Sequence, residues 1–322
     1  MITGQGELFD EILANPVIEG ADKLLIVTGY ASANMVARHV DYVRKILKRS
    51  FRLELIIGMA VKDGIELKNH KSFIQLQESK DLDFECNYII NPPAIHSKVY
   101  TWLKKEEPYK SFTGSANYTQ NAFSTSQREA VAPSCPKLAS DYFQNLLRES
   151  INCNDDFDII SSHIDFYESK RIIKEVHKYD DTNLLSYELE KVTLTLLDRS
   201  TGEVPNRSGL NWGQRPEYNR DPNQAYLNIP SDICRSGFFP DLRNVFTILT
   251  DDDKQLICVR AQQNGKGLHT TLNNALMGQY FRFRLCLGNG KKITLKDLLK
   301  YGRTDVDIYK IDEETYHLDF SV

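Results

Sequence analysis

Apolar residues along the first half of the chain come in two rhythms. Continuous apolar runs at 24–30 and 53–60 predict buried strands, the first ending at Gly29 and the second closing on Gly58. Between them, residues 33–49 repeat Met35, Val36, Val40, Val43, Ile46 and Leu47 at helical spacing. Residues 67–78 do so again, with His70, Phe73 and Leu76 on one side. Short runs at 99–103 and 110–113 predict a neighbouring pair of strands. A further strand is expected at 129–132 and a helix at 137–150. Strands separated by helices imply a central sheet covered by helices.

The second half reads differently. Strands are expected at 192–197, 225–229, 245–249, 255–261, 280–287 and 316–320, which predicts a small, mostly β domain of pseudobarrel type. Two polar stretches interrupt them, a long one at 199–224 and a second at 262–271. At 322 residues the chain exceeds what one core usually supports. The division expected is a first domain at 1–165, a linker at 166–185 and a second domain at 186–322. Residues 166–178 within that linker are polar and predicted helical. No internal repeat or low-complexity tract is visible.

Composition narrows the class. A net charge of −4 makes the chain a poor general binder of polyanions, but residues 254–296 carry eight Lys or Arg and no Asp or Glu. They include Arg260, Lys266, Arg282, Arg284, Lys291 and Lys292, and they predict a local phosphate-binding surface. The ordinary explanation of such a run is a solvated basic face. The six cysteines are scattered singly, as reduced residues of a cytoplasmic protein are, and they form no zinc pattern. No apolar run approaches a membrane span, and residues 1–7 do not predict a secretory leader. No Gly-x-x-x-x-Gly-Lys-Ser/Thr sequence is present, so any ATP hydrolysis would belong to a separate subunit.

The chemistry concentrates in two short elements, His96-Ser97-Lys98 and Gly114-Ser115-Ala116-Asn117. The runs that follow the first and precede the second would pair as adjacent strands, bringing imidazole, ammonium, hydroxyl and carboxamide to one small site. Side chains two apart on a strand share a face, which would align His96 with Lys98 and Ser115 with Asn117. A nucleophile, a cation and neutral donors are what phosphodiester cleavage without a metal requires. The plain alternative is a hairpin with a polar turn. Against it, Gly-Ser-x-Asn alone arises in roughly one window in several thousand.

His-x-Lys followed by Gly-Ser-x-Asn resembles the phospholipase D superfamily. Lipid-cleaving members carry an Asp five residues after the Lys, where this chain has Leu103. A carboxylate follows instead at Glu129, in Gln127-Arg128-Glu129-Ala130-Val131. That arrangement is similar to the metal-independent restriction endonucleases of the NgoFVII family, and the likeness extends over most of the chain. The resemblance implies an α/β phospholipase D-like sandwich domain followed by a mostly β, B3-like pseudobarrel. His96 would attack phosphorus and form a phosphohistidine. Lys98 and Asn117 would hold the nonbridging oxygens, with Ser115 a secondary donor. Glu129 would accept the other ring N–H of His96; its alternative is a strand-start carboxylate paired with Arg128 or a nearby Lys. No metal and no cofactor is called for.

Superfamily chemistry uses two histidines, and the other six (His39, His70, His163, His177, His269 and His317) lack the motif. A homodimer through the phospholipase D-like domain would supply the second His96 across its axis. Some relatives also work with a separate ATP-driven translocating subunit.

The B3-like likeness makes the two polar stretches into arms that clasp duplex DNA. Their candidate contacts are Arg199, Asn211, Trp212, Gln214, Arg215, Arg220, Asn223, Gln262, Asn264, Lys266 and His269, residue types suited to guanine and adenine edges and to phosphates. Trp212 reads as a packing anchor for its arm. The alternative is that the stretches cap the barrel with hydrogen-bonding turns. Other functional readings are a nonspecific nuclease or lipid phosphodiesterase at the same site, and a DNA-binding protein with a silent catalytic domain. A lipid enzyme should carry a hydrophobic membrane-facing segment, and none is visible.

Overall fold

The computed structural model describes residues 7–123, 127–168, 189–242 and 244–322. The chain forms two compact units, Met1–Lys174 and Glu175–Val322. Most of the connector expected to be helical lies outside the described residues. Its start is instead a short strand.

The first unit contains β1 (Lys23–Thr28), β2 (Arg52–Ile57), β3 (Ile65–Glu66), β4 (Phe84–Ile89), β5 (Val99–Lys104), β6 (Glu107–Gly114), β7 (Val131–Pro133), β8 (Ser150–Asn152) and β9 (Phe166–Tyr167). Seven of these make one sheet in the order β7-β6-β5-β1-β2-β4-β8, parallel at β1–β2 and β2–β4 and antiparallel elsewhere. Both faces are covered, so β1 and β2 are buried without alternation after their first residues, with Glu54 a charged exception inside β2. On one face Leu25, Val27, Ile56, Val99 and Leu103 pack with Phe143 and Leu146 of helix Pro136–Leu147. On the other, the Trp102 indole donates to the N-terminal helical stretch at Ile12 O, 2.7 Å away.

Helix Ala33–Tyr42 starts where Ser32 Oγ accepts the Met35 N–H at 3.2 Å. It passes into a π turn at Val43–Leu47 and stops at Lys48, whose φ is 55°. The helix therefore stops just short of the expected end at residue 49, and its last turn is not α.

Two histidines expected to have no site partner are buried here. His39 bonds to the Tyr118 hydroxyl at 2.9 Å and to Leu13 O at 3.1 Å, and burial pulls its pKa down to about 3. His70 bonds to the Tyr88 hydroxyl at 2.9 Å, and burial brings it to about 4. In the unfolded chain both protonate near 6.5. Between 6.5 and those lower values the unfolded state binds more protons, so stability falls as pH falls. Each histidine contributes about 1.4 kcal/mol per pH unit once the unfolded form is protonated. Denaturant titrations should show the first unit losing about 2–3 kcal/mol from pH 6 to 5. His70→Gln should roughly halve that slope, and a flat profile would contradict the buried neutral state.

The second unit contains β10 (Lys191–Thr195), β11 (Leu227–Asn228), β12 (Val245–Thr250), β13 (Gln255–Ala261), β14 (Gly267–Thr270), β15 (Asp305–Lys310) and β16 (Thr315–Asp319). They form one sheet in the order β10-β15-β16-β12-β13-β14-β11, with only β12–β16 parallel. The edge strands β10 and β11 approach each other, leaving a nearly closed barrel around Phe239, Phe246, Phe281, Tyr316 and Phe320.

Two expectations fail here. The strand predicted at 280–287 is a helix, Leu276–Arg284. Met277, Tyr280 and Phe281 are buried at helical spacing while Phe283 is 67% exposed, so the period of 3.6 overrides the apparent alternation of Phe281 and Phe283. The polar stretch at 262–271 is also not one loop. Its second half is β14, paired with β13 and β11, which leaves a turn at 262–266. Strand β15 and helix Leu295–Tyr301, capped by Thr294 and Asp297, had no counterpart in the hydropathy pattern.

Candidate active site and DNA-recognition loops

Strand pairing assembles the first site. Val27 of β1 faces Val99 of β5, and Val99 faces Thr113 of β6. The end of β1, the entry to β5 and the exit of β6 therefore lie side by side. Gly114 pairs in turn with Val131 of β7, which brings in the segment carrying Glu129. A Cβ on Gly114 would lie 2.1 Å from Ala130 O, so only glycine admits this approach.

Of the two motifs only Gly114 lies within a strand, at the end of β6. His96 and Lys98 precede β5, while Ser115 and Asn117 follow β6. His96 and Lys98 nevertheless meet. Lys98 Nζ lies 3.1 Å from Nδ1 and 3.2 Å from Nε2 of His96, and 2.6 Å from its carbonyl oxygen. An ammonium only donates and a neutral imidazole has one lone pair, so one of the two ring contacts at most is a hydrogen bond. Lys98 is 5% exposed, and burial lowers its pKa against the opposing pull of Glu129. His96 itself is open to solvent.

Ser115 and Asn117 diverge rather than align. Asn117 reaches back to β1, where its Oδ1 accepts from the Tyr30 N–H at 3.2 Å and lies 3.3 Å from Thr28 Oγ1. With the oxygen engaged there, the NH2 group is the end free to meet a ligand. Ser115 Oγ accepts the Ala130 N–H at 3.0 Å and donates to the Glu129 carboxylate.

That bond corrects two expectations. Among the described residues Glu129 makes no hydrogen bond to His96; one of its oxygens accepts from Ser115 instead. Ser115 in turn has given away its only proton and is not a spare donor. Among the described residues Glu129 makes no ion pair with Arg128 or a Lys either, though its charge acts on Lys98. Gly29 and Tyr30 complete the wall. A Cβ on Gly29 would sit 3.2 Å from His96 Cδ2 and 3.4 Å from Asn117 Oδ1, so the missing side chain leaves room for both. The motifs do not contain them; the place of Tyr30 just after the first apolar strand points either to the flank of the site or to core packing, and its exposure rules out the core.

No helix among the described residues is long and apolar enough to cross a membrane. Nor do the described residues contain a cluster of three or more His, Cys, Asp or Glu placed to hold a metal.

In the second unit much of the predicted DNA-contact set is committed to the fold. Asn211 is fully buried and exchanges hydrogen bonds with Ile293, donating to its carbonyl at 2.8 Å and accepting from its N–H at 2.9 Å. Gln214 donates to Pro222 O and Gly290 O, and Asn223 accepts the Gly290 N–H at 2.6 Å. Arg215 Nε donates to Arg207 O at 2.8 Å. His269 is buried in β14 with Nδ1 2.8 Å from Thr270 O. These side chains close the loop upon itself, because its buried backbone groups need partners that no strand supplies.

The basic tract divides similarly. Arg260 bonds three backbone carbonyls, as does the fully buried Arg282, and Arg284 is paired with Asp251. Trp212 carries the Arg220 guanidinium 4.2 Å above its ring and meets Tyr226 edge-to-face, the anchoring part expected of it. Arg199, Gln262, Asn264 and Lys266 remain exposed, with Arg220 half-buried. Exposed Arg207, paired with Glu217, lies in the same loop outside the predicted set.

Two family models match the chain. The NgoFVII restriction endonuclease N-terminal PLD domain matches residues 6–157, and the NgoFVII C-terminal B3-like DNA-binding domain matches residues 184–312. No match was found among curated proteins. Among solved structures, NucT from Helicobacter pylori is similar at 14% identity over 45% of this chain and 91% of its own, with a TM-score of 0.35. The phospholipase D family member Nuc from Salmonella typhimurium is similar at 16% identity over 43% and 86%, with a TM-score of 0.32. Polyphosphate kinase from Porphyromonas gingivalis shares 12% identity over 45% of this chain and 21% of its own, with a TM-score of 0.30. The two family models between them span well over half of the chain, in the order the motifs and loops required, and the chain belongs to the NgoFVII restriction endonuclease family, phosphodiester-cleaving nucleases that join a phospholipase D domain to a B3-like DNA-binding domain.

Proposed function

We propose that the chain is a homodimeric endonuclease that cuts double-stranded DNA at a specific sequence, without a metal, through a phosphohistidine intermediate. The observation that carries this reading is the meeting of solvent-open His96 with buried Lys98 and an Asn117 amide whose oxygen is already engaged. A ring nitrogen of His96 forms a bond to phosphorus as the bond to the leaving oxygen breaks. Lys98 and the Asn117 NH2 hold the nonbridging oxygens as their charge grows. Glu129, held by Ser115, supplies the negative charge that supports the imidazolium. The leaving oxygen takes a proton from a second His96 across a dimer axis, and water then cleaves the phosphorus–nitrogen bond. One histidine per motif is what makes the dimer a chemical requirement.

In the second unit, recognition falls to the exposed members of the predicted set: Arg199, Arg220, Gln262, Asn264 and Lys266, with Arg207 added. Domain limits at 1–165 and 186–322 go with this division of labour. Any ATP-driven partner would be a separate subunit. The action is placed in the cytoplasm, where cellular DNA is met.

The test is cleavage of a long duplex in excess EDTA, with sedimentation of the protein under the same conditions. Discrete fragments from a dimer are expected. A smear would remove the specificity, a requirement for added magnesium would remove the metal independence, and a fully active monomer would remove the second histidine. Gln262→Ala together with Asn264→Ala should lower specific binding by about 10-fold or more while leaving nonspecific binding near wild type. An unchanged ratio of the two would move recognition elsewhere.

A further inference from the structure

What orients the nucleophile is not what the motif suggests. Ser115 engages Glu129, and Lys98 approaches both ring nitrogens of His96 without choosing a plane for the ring. Gly29 leaves space beside Cδ2. The remaining wall is Tyr30. Its ring meets the imidazole edge-to-face, with centroids 6.2 Å apart and planes at 81°.

Tyr30 is 41% exposed, so burial does not hold it in place. Its hydroxyl does, donating to Asp63 Oδ2 at 2.5 Å. A hydrogen bond to an ionised acceptor is stronger than a neutral one, which suits an exposed tether. Asp63 closes the short helix Ala60–Asp63, just beyond β2, and so ties the ring to a second strand end. The Tyr30 N–H meanwhile holds Asn117 Oδ1. One residue thus touches two groups of the site, by its backbone and by its ring.

We propose that Tyr30, tethered by Asp63, is a positioning residue that sets the orientation of the His96 imidazole for attack on phosphorus. The inference rests on the nuclease reading, since orientation matters because misplacing a reacting atom by about 1 Å can cost about 100-fold in rate. It adds a second layer to the site that lies outside both motifs.

The test pairs single-turnover DNA cleavage with NMR of the His96 ring in the full-length protein. Tyr30→Ala should slow cleavage by about 30- to 100-fold while DNA affinity stays within about twofold. Its His96 ring signals should lose the aromatic shift and show increased ring motion. Tyr30→Phe keeps the wall and loses the tether, so a smaller loss of about 3- to 10-fold is expected. Asp63→Asn leaves a neutral and weaker acceptor for the hydroxyl, so a loss no larger than that of Tyr30→Phe is expected. Unchanged cleavage in Tyr30→Ala would overturn the proposal, as would a loss appearing only in affinity. Were the wild-type protein inert on DNA, the nuclease reading would fall first; unaltered His96 ring motion in Tyr30→Ala would still reject the positioning role.

Discussion

His96→Ala should leave duplex DNA uncut under conditions in which the wild-type protein cuts it to completion. The expected loss is at least about 10⁴-fold, the scale found when a covalent nucleophile is removed and only binding and electrostatic groups remain. The cause is specific. Without the imidazole no phosphorus–nitrogen bond forms, and in a dimer the same substitution removes both the nucleophile and the proposed proton donor. Lys98 and Asn117 would stay in place, since Lys98 is also bonded to the residue 96 carbonyl and Asn117 is held by Tyr30 and Thr28.

Folding is not at stake, because the His96 ring is open to solvent and meets Tyr30 edge-to-face at its rim. DNA affinity should therefore change little, and the loss should fall on the chemical step. Rapid quench at a pH that preserves phosphoramidate should trap a covalent DNA adduct on the wild-type protein and none on the variant. Residual cleavage within 10-fold of wild type would place the nucleophile elsewhere, on the order of the small effects left by non-reacting groups. Retained cleavage without an adduct would point to direct attack by water.

Arg282→Met is expected to have the largest effect on the second unit. The guanidinium is 0% exposed, and it donates to Lys291 O at 2.7 Å, Gly278 O at 3.0 Å and Pro222 O at 3.2 Å. Those carbonyls belong to the recognition loop, to the helix carrying Arg282 and to the stretch after it. Methionine fills much of the volume but donates nothing, so three carbonyls lose a partner at once. The loss should be about 3–5 kcal/mol, as when one partner of a buried charged network is removed. Hydrogen exchange should show the drop across 211–224 and 276–293 while the first unit's sheet keeps its protection. Cleavage should then lose its sequence pattern before it loses its chemistry. A change under about 1 kcal/mol, the scale of an exposed pair, would mean that the guanidinium is not what closes the loop.

That result bears on how the basic tract is read. Three of its arginines serve as internal cross-links, so counting charge along 254–296 overstated the surface available to phosphate. A run of Lys and Arg looks the same in sequence whether its side chains face water or backbone carbonyls. Burial decides between the two. Among the loop residues, Asn211 and Asn223 have the chemistry of base readers, yet the same amide that fits an adenine edge also fits a peptide group. Only the fold chooses which one it meets. The helix at Leu276–Arg284 illustrates the same limit on a shorter scale. Phe281 and Phe283 alternate like strand residues, and the barrel interior selects Phe281 alone.

The sequence by itself determined the reactive groups, the family and the division into an α/β part followed by a β part. These depend on residue identity and on local hydrophobic period, which require no knowledge of distant contacts. It also located the strands whose ends carry the site, because β1 and the buried stretches of β5 and β6 are rich in apolar residues. Tertiary structure alone decided who partners whom. Pairing of β1 with β5 and of β5 with β6 brings residues 28–30, 96–98 and 114–117 together, and Gly114 then admits Ala130 and steers Glu129 to Ser115 instead of His96. Asp63 reaches Tyr30 only because β1 pairs in parallel with β2. The physical reason is that a side chain's partner is set by backbone register and by which hydrogen-bonding groups are left without water, and both are properties of the assembled sheet.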